Sequence, residues 1–176
     1  MPGYYLRVPG LPPSHAETRA QWTFRTANAA EAETIATIVN AAYRAEDFFI
    51  NGNRTDPDEV LGVLQQHAFL VAEDGSGEVV GAVEVEIRGD RGYFGMLSVK
   101  PTLQGSGLGR RLIHEVEAHC RERGCSWLDL MVVNLREELL PWYARLGFRE
   151  TGTAPFPDPP KLKRPCHMVL MEKPLA

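Results

Sequence analysis

Three glycines stand directly before a run of residues with helical spacing, in the stretch Gln104-Gly105-Ser106-Gly107-Leu108-Gly109. The start of a helix leaves backbone N–H groups without partners, and the helix dipole adds partial positive charge there. Glycines bring such N–H groups together with no side chain in the way. Arg110 and Arg111 follow at once. A plain flexible loop is one interpretation, and the other is a cradle for a phosphate or pyrophosphate group.

Two common nucleotide-binding motifs fit this stretch less well. A nucleotide P-loop needs Lys followed by Ser or Thr after its last glycine, and Arg110 and Arg111 stand there instead. A dinucleotide fingerprint has the spacing G-x-G-x-x-G after the first strand of a doubly wound sheet, whereas the spacing here is G-x-G-x-G. Glu122 and Asp129 bracket the acidic position that the fingerprint needs about 20 residues on, so the order of elements is the stronger objection.

Hydrophobic periodicity predicts the elements around the loop. The run EVVGAVEVEI alternates, with Val83, Val85 and Ile87 on one face and Glu84 and Glu86 on the other. It is the second of three strand-like runs that are separated by short turns, which predicts an antiparallel meander.

The whole order is a strand, two helices, three strands, a helix, a strand, a helix and a strand, which predicts a mixed α/β protein. Asn28 and Asp56 are the predicted N-caps of the first two helices. The helix after the glycine loop joins two strands in a βαβ crossover, so these strands are expected to be parallel. The order places no strand between the last helix and the segment PFPDPPKLKRP, which is predicted to be a loop.

Composition is that of an ordinary soluble globular protein. Of 176 residues, 44% are hydrophobic and 24% are charged, and the formal net charge is −4. No basic block indicates a nucleic-acid partner. Residues 1–21 have no continuous apolar run, so we interpret them as a Pro/Gly-rich extension, neither a secretory signal nor a membrane span. A cytoplasmic location without a membrane partner is expected.

The sequence has three cysteines, Cys120, Cys125 and Cys166. Their odd number and their spacing argue against a disulfide framework and favour reduced thiols. His114 and His119 lie near the first two cysteines, but their spacing is not that of a usual metal site. No metal is therefore expected.

The glycine stretch resembles the Q/R-x-x-G-x-G/A signature of the Gcn5-related N-acetyltransferase (GNAT) superfamily. The preceding GMLSVKP is similar to that family's strand before the loop. The segment NLREELLPWYARLGF resembles its second motif, in which a helix carries a tyrosine and ends in Gly-Phe. The resemblance covers residues 22 to 173. It implies a single GNAT domain over residues 22–176, with a mixed, mostly antiparallel sheet, a splayed parallel strand pair and helices on both faces.

This resemblance implies acetyl-CoA as the co-substrate. The pyrophosphate would rest on backbone N–H groups of the glycine loop, and the pantetheine arm would pair with the preceding strand, where a main-chain N–H would polarise the thioester carbonyl. Asn134 would contact the pantetheine or the substrate, although its nine-residue separation from Tyr143 is longer than is common in the family. The implied cofactor-binding residues are Leu97, Ser98, Val99, Gln104, Gly105, Ser106, Gly107, Leu108, Gly109, Arg110 and Asn134.

Transfer of an acyl group to an amine needs a base for the amine and an acid for the departing thiolate. Tyr143 stands where the family places its general acid, and its alternative role is that of a core aromatic residue. Glu84 is a candidate base, or else part of a solvated strand face. Tyr43 and Arg54 lie between the first two helices, a region that forms one wall of the family's acceptor site. Arg54 would suit an acidic substrate group.

These features predict an acetyl-CoA-dependent N-acetyltransferase that acts by direct transfer in a ternary complex. The acceptor is an amine of a small molecule or a protein, and the enzyme is a monomer or homodimer. The alternative is a non-catalytic acyl-CoA-binding or sensor module on the same scaffold. The sequence leaves the acceptor open, because a fold does not set its substrate.

Overall fold

A seven-stranded sheet forms the centre of the protein in a computed structural model that describes residues 22–176. The predicted extension over residues 1–21 lies outside the described residues. The strands are β1 (Thr23–Thr26), β2 (Ala68–Glu73), β3 (Val79–Arg88), β4 (Arg91–Val99), β5 (Trp127–Val133), β6 (Arg149–Pro155) and β7 (His167–Pro174). The α-helices are α1 (Ala32–Ala42), α2 (Pro57–Gln66), α3 (Leu108–Glu122) and α4 (Leu139–Arg145).

The strand order across the sheet is β1-β2-β3-β4-β5-β7-β6. Neighbouring strands are antiparallel except β4 and β5, which α3 connects as a parallel pair. The predicted meander of β2, β3 and β4 and the predicted βαβ crossover are therefore both confirmed. The mixed, mostly antiparallel sheet is also confirmed.

The parallel pair separates soon after it begins. Only three residue pairs of β4 and β5 are in register, from Arg91 opposite Trp127 to Tyr93 opposite Asp129. Beyond Tyr93, β4 stays paired with β3, while β5 stays paired with β7 as far as Val133. The two strands thus diverge, and the edge of β4 that faces β5 has no strand partner there.

A β-bulge in β4 lies at this opening. The register of β3 and β4 shifts between Ala82 and Glu84, and Met96 has a positive φ of 49°. The hydroxyl of Ser98 donates a 2.9 Å hydrogen bond to the Met96 carbonyl and supports this backbone turn. The extra residue reverses the side-chain alternation, so that Met96 packs with α1 while Leu97 packs with the α3 side.

Helices cover both faces of the sheet, as expected, and each face has its own buried cluster. One cluster lies under α1 and α2, and the other lies under α3 and α4. The predicted N-caps are confirmed. Asn28 forms a capping box with Glu31 at the single 3-10 turn before α1, and the Asp56 carboxylate accepts a 2.9 Å hydrogen bond from the Glu59 N–H at the start of α2.

The predicted order of elements is wrong at one place, because it omits β6. The residues of β6 are almost all exposed, so the strand shows no alternation of apolar and polar side chains. It exists because its backbone pairs with β7 at the edge of the sheet. Pro155 ends β6, which suits an edge strand because no neighbour needs its missing N–H.

Among the described residues, no helix combines the length and the apolar character that crossing a membrane requires. All three cysteines are free thiols, and Cys120 is fully buried on the apolar face of α3.

Candidate functional site

Two clefts open where β4 and β5 separate. The glycine-loop cleft has a volume of about 550 Å³ and lies between the N-terminus of α3, the end of α1 and α4. The second cleft has a volume of about 200 Å³ and is lined by β4, β5, the segment after α1 and the loop between β6 and β7. Both clefts are lined by Tyr43, Glu46, Leu139 and Tyr143. These four side chains therefore form the wall where the clefts meet.

The start of α3 presents backbone donors to the glycine-loop cleft. Gly107 precedes the helix with a φ of 89°, and the first hydrogen bond of the helix ladder runs from the Arg111 N–H to the Gly107 carbonyl. The Leu108 N–H donates to the Ser106 hydroxyl at 3.4 Å, and the N–H groups of Gly109 and Arg110 have no carbonyl acceptor one turn back. A Cβ placed on Gly105 or Gly107 would meet no atom within 4 Å. The loop is therefore open on its outer side, with the shape and polarity of an anion cradle.

The unpaired edge of β4 continues this cleft. Leu97 and Val99 line it, directly beyond the bulge at Met96. Because β5 has already separated, the outward backbone groups of this part of β4 are available to an extended ligand. A ligand that carries amide groups can pair with such an edge as an added strand.

Tyr143 lies on α4, and its ring packs among other aromatic rings. The side chain is 7% exposed and packs against Trp142, Phe94 and Phe148, with ring centroids 4.8, 6.1 and 5.8 Å away. Burial raises the pKa of the Tyr143 phenol well above its usual value. The phenol therefore carries its proton at neutral pH, as an ordinary tyrosine also does.

Glu46 is a carboxylate that sequence reasoning missed. Its side chain is 12% exposed, and Oε1 lies 3.3 Å from Nη1 of Arg136, which also contacts Glu138 at 2.7 Å. Burial raises the pKa of Glu46, although the charges of Arg136 and Arg54 oppose that shift. Glu46 stands in a charged segment that shows no hydrophobic periodicity and matches no motif. The only signal for Arg136 was the unusual insertion REELLP.

Glu84, the predicted base, lies deeper along β3. A Cβ placed on Gly95 would be 3.3 Å from Oε2 of Glu84 and 3.4 Å from the hydroxyl of Tyr93. Burial raises the pKa of Glu84, and the nearby charges of His67 and Arg54 oppose the shift. Gly95 and Tyr93 line the second cleft, whereas Glu84 is not one of its lining residues.

Arg54 and Tyr43, the predicted substrate residues, both line the second cleft. The guanidinium of Arg54 lies over the Tyr43 ring, 5.5 Å from its centroid. Burial raises the pKa of Tyr43 to about 12. The structure therefore brings these two residues together at one wall of the cleft.

The loop between β6 and β7 closes one side of the second cleft. The Asn51 N–H donates to the Lys161 carbonyl at 2.9 Å, and the Lys163 N–H donates to the Phe49 carbonyl at 2.7 Å. Ile50 and Leu162 form an isolated β-bridge between these bonds. The proline-rich segment is thus fixed to the chain between α1 and α2.

Comparison with known families identifies the chain. A family profile described as an acetyltransferase (GNAT) domain matches residues 40–159, which is more than half of the sequence. The chain belongs to the GNAT acetyltransferase family. An IAA acetyltransferase of Azospirillum brasilense is 36% identical to it over 111 residues, which cover 61% of this chain and 67% of that protein.

Solved structures share the GNAT fold. One described as a phosphinothricin N-acetyltransferase has a TM-score of 0.74 and 17% identity, over 88% of this chain and 99% of that one. An acetyltransferase of Salmonella typhimurium, solved with its cofactor acetyl-CoA, has a TM-score of 0.68 and 24% identity, over 89% of this chain and 95% of that one. At these identities the likeness shows the fold alone.

The predicted GNAT cofactor residues divide into two groups. The glycine-loop cleft is lined by Leu97, Val99, Gln104, Gly105, Gly107, Gly109 and Arg110. The other side chains have structural contacts. The hydroxyl of Ser106 donates to the Leu103 carbonyl, Leu108 is fully buried, and Oδ1 of Asn134 accepts a hydrogen bond from the His167 N–H. Ser98 supports the bulge, as described above. That these four residues take part in cofactor binding stays a prediction.

Proposed function

We propose that this GNAT protein is an acetyl-CoA-dependent N-acetyltransferase that transfers the acetyl group directly to an amine of a small molecule or a protein. The observation that carries the proposal is the position of Tyr143, a buried, protonated phenol in the wall shared by the two clefts. A proton donor at that point serves a reaction between ligands that enter from opposite sides.

The glycine-loop cleft suits acetyl-CoA as the donor substrate. The pyrophosphate would take the N–H groups at the start of α3, and Arg110 would add a charged donor. The open space at Gly105 and Gly107 supports this placement, because a side chain at either position would project from the loop surface. The pantetheine arm would pair with β4 near Leu97 and Val99.

Acetyl-CoA supplies an acetyl group that is activated as a thioester. The amine nitrogen bonds to the carbonyl carbon, and the carbon–sulfur bond then breaks. A main-chain N–H near Leu97 would stabilise the negative charge that develops on the carbonyl oxygen. Tyr143 would donate its proton to the departing sulfur, and exchange with solvent would restore the phenol. None of the three cysteines lines either cleft, which supports direct transfer rather than an acyl-cysteine.

Two carboxylates are candidates for the base that takes the proton of the amine. Both Glu46 and Glu84 have pKa values that burial raises towards neutrality, which favours this role. Glu46 lines both clefts and is therefore nearer to the proposed point of transfer. We propose Glu46 as the base and keep Glu84 as the alternative.

The test combines ligand protection with turnover. The thermal midpoint should rise with CoA and acetyl-CoA and not with NAD, and a panel of amines should include at least one acetylated acceptor. Tyr143→Phe should lower kcat by about 10²-fold or more and retain protection by acetyl-CoA. Tyr43→Phe is the comparison variant, because Tyr43 is the other phenol in that wall; as a predicted substrate residue, it should affect KM for the acceptor rather than kcat.

Unchanged turnover in Tyr143→Phe would show that Tyr143 is not the acid. Protection by acetyl-CoA without acetylation of any amine in the panel would instead favour the non-catalytic acyl-CoA-binding module. Protection by NAD alone would reject coenzyme A as the ligand.

A further inference from the structure

Arg54 is a positive group in the second cleft that the proposed acetyl transfer does not itself require. It lines the cleft, and within residues 22–176 no carboxylate oxygen lies within ion-pair distance of its guanidinium. The other basic side chain of that cleft, Lys161, lies 3.1 Å from Asp158. Arg136, at the junction, is held by Glu46 and Glu138. Among the residues that the structure describes, Arg54 is thus the basic side chain of the second cleft that has no ion-pair partner.

The charge of Arg54 affects the other ionisable groups around the cleft, including Tyr43, whose ring lies under the guanidinium. Burial raises the pKa values of Glu46, Glu84, Tyr43 and Tyr93. The positive charge of Arg54 opposes this rise at each of the four groups. Arg54 is therefore near both carboxylates, although neither of them lies within ion-pair distance of its guanidinium. The second cleft thus presents a positive group, Arg54, beside the wall that Tyr43, Glu46 and Tyr143 share with the glycine-loop cleft.

The shape of the cleft favours a small ligand. Its volume is about 200 Å³, and the loop between β6 and β7 is hydrogen-bonded across one side. A folded protein that presents a surface lysine would have to reach past this loop. A small molecule fits the space as it stands.

We propose that the acceptor is a small amine that also carries a carboxylate, as an amino acid does. The carboxylate would bind the Arg54 guanidinium, whose planar fork matches a carboxylate with two parallel hydrogen bonds. The amine would then point towards Glu46 and Tyr143 at the junction of the clefts. This inference rests on the proposed acetyl transfer, and it narrows the acceptor from any amine to a zwitterionic one.

The test uses pairs of acceptors that differ only in the carboxylate. Methionine is compared with 3-(methylthio)propylamine, and phenylalanine with 2-phenylethylamine, in wild type and in Arg54→Met. The matched control is Lys161→Met, which removes a different cation from the same cleft. Binding of each compound to the CoA-saturated protein is measured by calorimetry, so that recognition is followed separately from turnover.

The wild type should prefer the carboxylate-bearing member of at least one pair. Arg54→Met should lower kcat/KM for that member by about 10- to 100-fold, the usual effect of losing a charged hydrogen-bonded pair, and should hardly affect the amine without the carboxylate. Lys161→Met should keep the preference. The calorimetric affinity should change in the same way as kcat/KM.

The inference is overturned if the wild type acetylates only the amines that lack a carboxylate, or if Arg54→Met weakens both members of a pair equally. Failure of the proposed function has a different signature. Arg54-dependent binding of methionine or phenylalanine without any turnover would reject acetyl transfer and still support the carboxylate site. The absence of any calorimetric binding or turnover of either amino acid would overturn the inference.

Discussion

The two clefts differ in what lines them: mainly backbone groups in one and side chains in the other. The glycine-loop cleft takes most of its predicted ligand contacts from one continuous stretch, from Leu97 to Arg110, and much of what it offers is backbone. The second cleft is assembled from side chains of β4, β5, the segment after α1 and the loop between β6 and β7. A site made of backbone needs a particular chain path, whereas a site made of side chains needs particular residues that meet from distant parts of the sequence.

Under the proposed function, this difference would let one scaffold keep its donor substrate while its acceptor changes. N–H groups at a helix start are present in any sequence that forms the turn. Side chains such as Arg54 and Phe156, which lie on connecting segments, can be replaced without altering the sheet. We therefore expect substitutions in the second cleft to change which amine reacts, and substitutions in the glycine loop to change affinity for the donor.

The largest expected effect tests the side-chain cleft. Glu46→Gln should lower kcat/KM for the acceptor by about 10²-fold or more, because the amine loses its base. The base must be ionised to accept a proton, so wild-type kcat/KM should rise with pH through a pKa above the ordinary value of a glutamate, since burial raises that of Glu46. In Glu46→Gln this rising limb should disappear.

Glu84→Gln is the matched control, because burial raises the pKa of Glu84 as well. Its kcat/KM should keep the same rising limb. A profile that loses the limb in Glu84→Gln and keeps it in Glu46→Gln would move the role of base to Glu84.

A smaller effect, on stability, tests the packing of α3 against the paired part of β4 and β5. A Cβ on Gly92 would lie 2.4 Å from Sγ of Cys120 and 3.3 Å from Cδ1 of Leu128. Gly92→Ala should therefore lower the free energy of unfolding by about 1–3 kcal/mol, the usual cost of overpacking a core. Urea denaturation measures this change.

The double variant Gly92→Ala/Cys120→Ala should recover part of that loss, because it removes the sulfur that the new methyl group meets. Additive losses in the double variant would mean that close packing against α3 is not what excludes a side chain at position 92.

The smallest effect tests whether the glycine loop works through its backbone. Gly107→Ala should cost about 1–2 kcal/mol of stability, because an alanine is strained at the positive φ of Gly107. Gly77→Ala is the matched control, since Gly77 has a φ of 83° and equally open space but lies in the turn between β2 and β3. Both variants should lose similar stability in urea.

Only Gly107→Ala should also weaken acetyl-CoA binding, by about tenfold, since its methyl group and the strained turn disturb the anion cradle. Calorimetry measures this affinity. Equal acetyl-CoA affinity in the two variants would show that the pyrophosphate does not rest on this loop.

Sequence reasoning predicted what local patterns encode. The caps at Asn28 and Asp56, the meander and the βαβ crossover all depend on residues close together in the chain, and the structure confirms them. It missed β6, whose exposed residues pair only because β7 provides an edge. Glu46 and Arg136 were also missed, since the 3-10 turn that ends at Glu46 and the loop that holds Arg136 are far apart in the sequence.

The sequence by itself determined the helices, the meander and the presence of a glycine loop before α3, because periodicity, capping and backbone freedom act over a few residues. Only the tertiary structure decided where β4 leaves β5 and which side chains meet at that gap. Those features depend on hydrogen bonds and packing between segments such as the chain after α1 and the loop between β6 and β7, and no local pattern records them. The glycine-loop cleft is therefore visible in the sequence, whereas most of the second cleft, apart from Tyr43 and Arg54, is visible only in the fold.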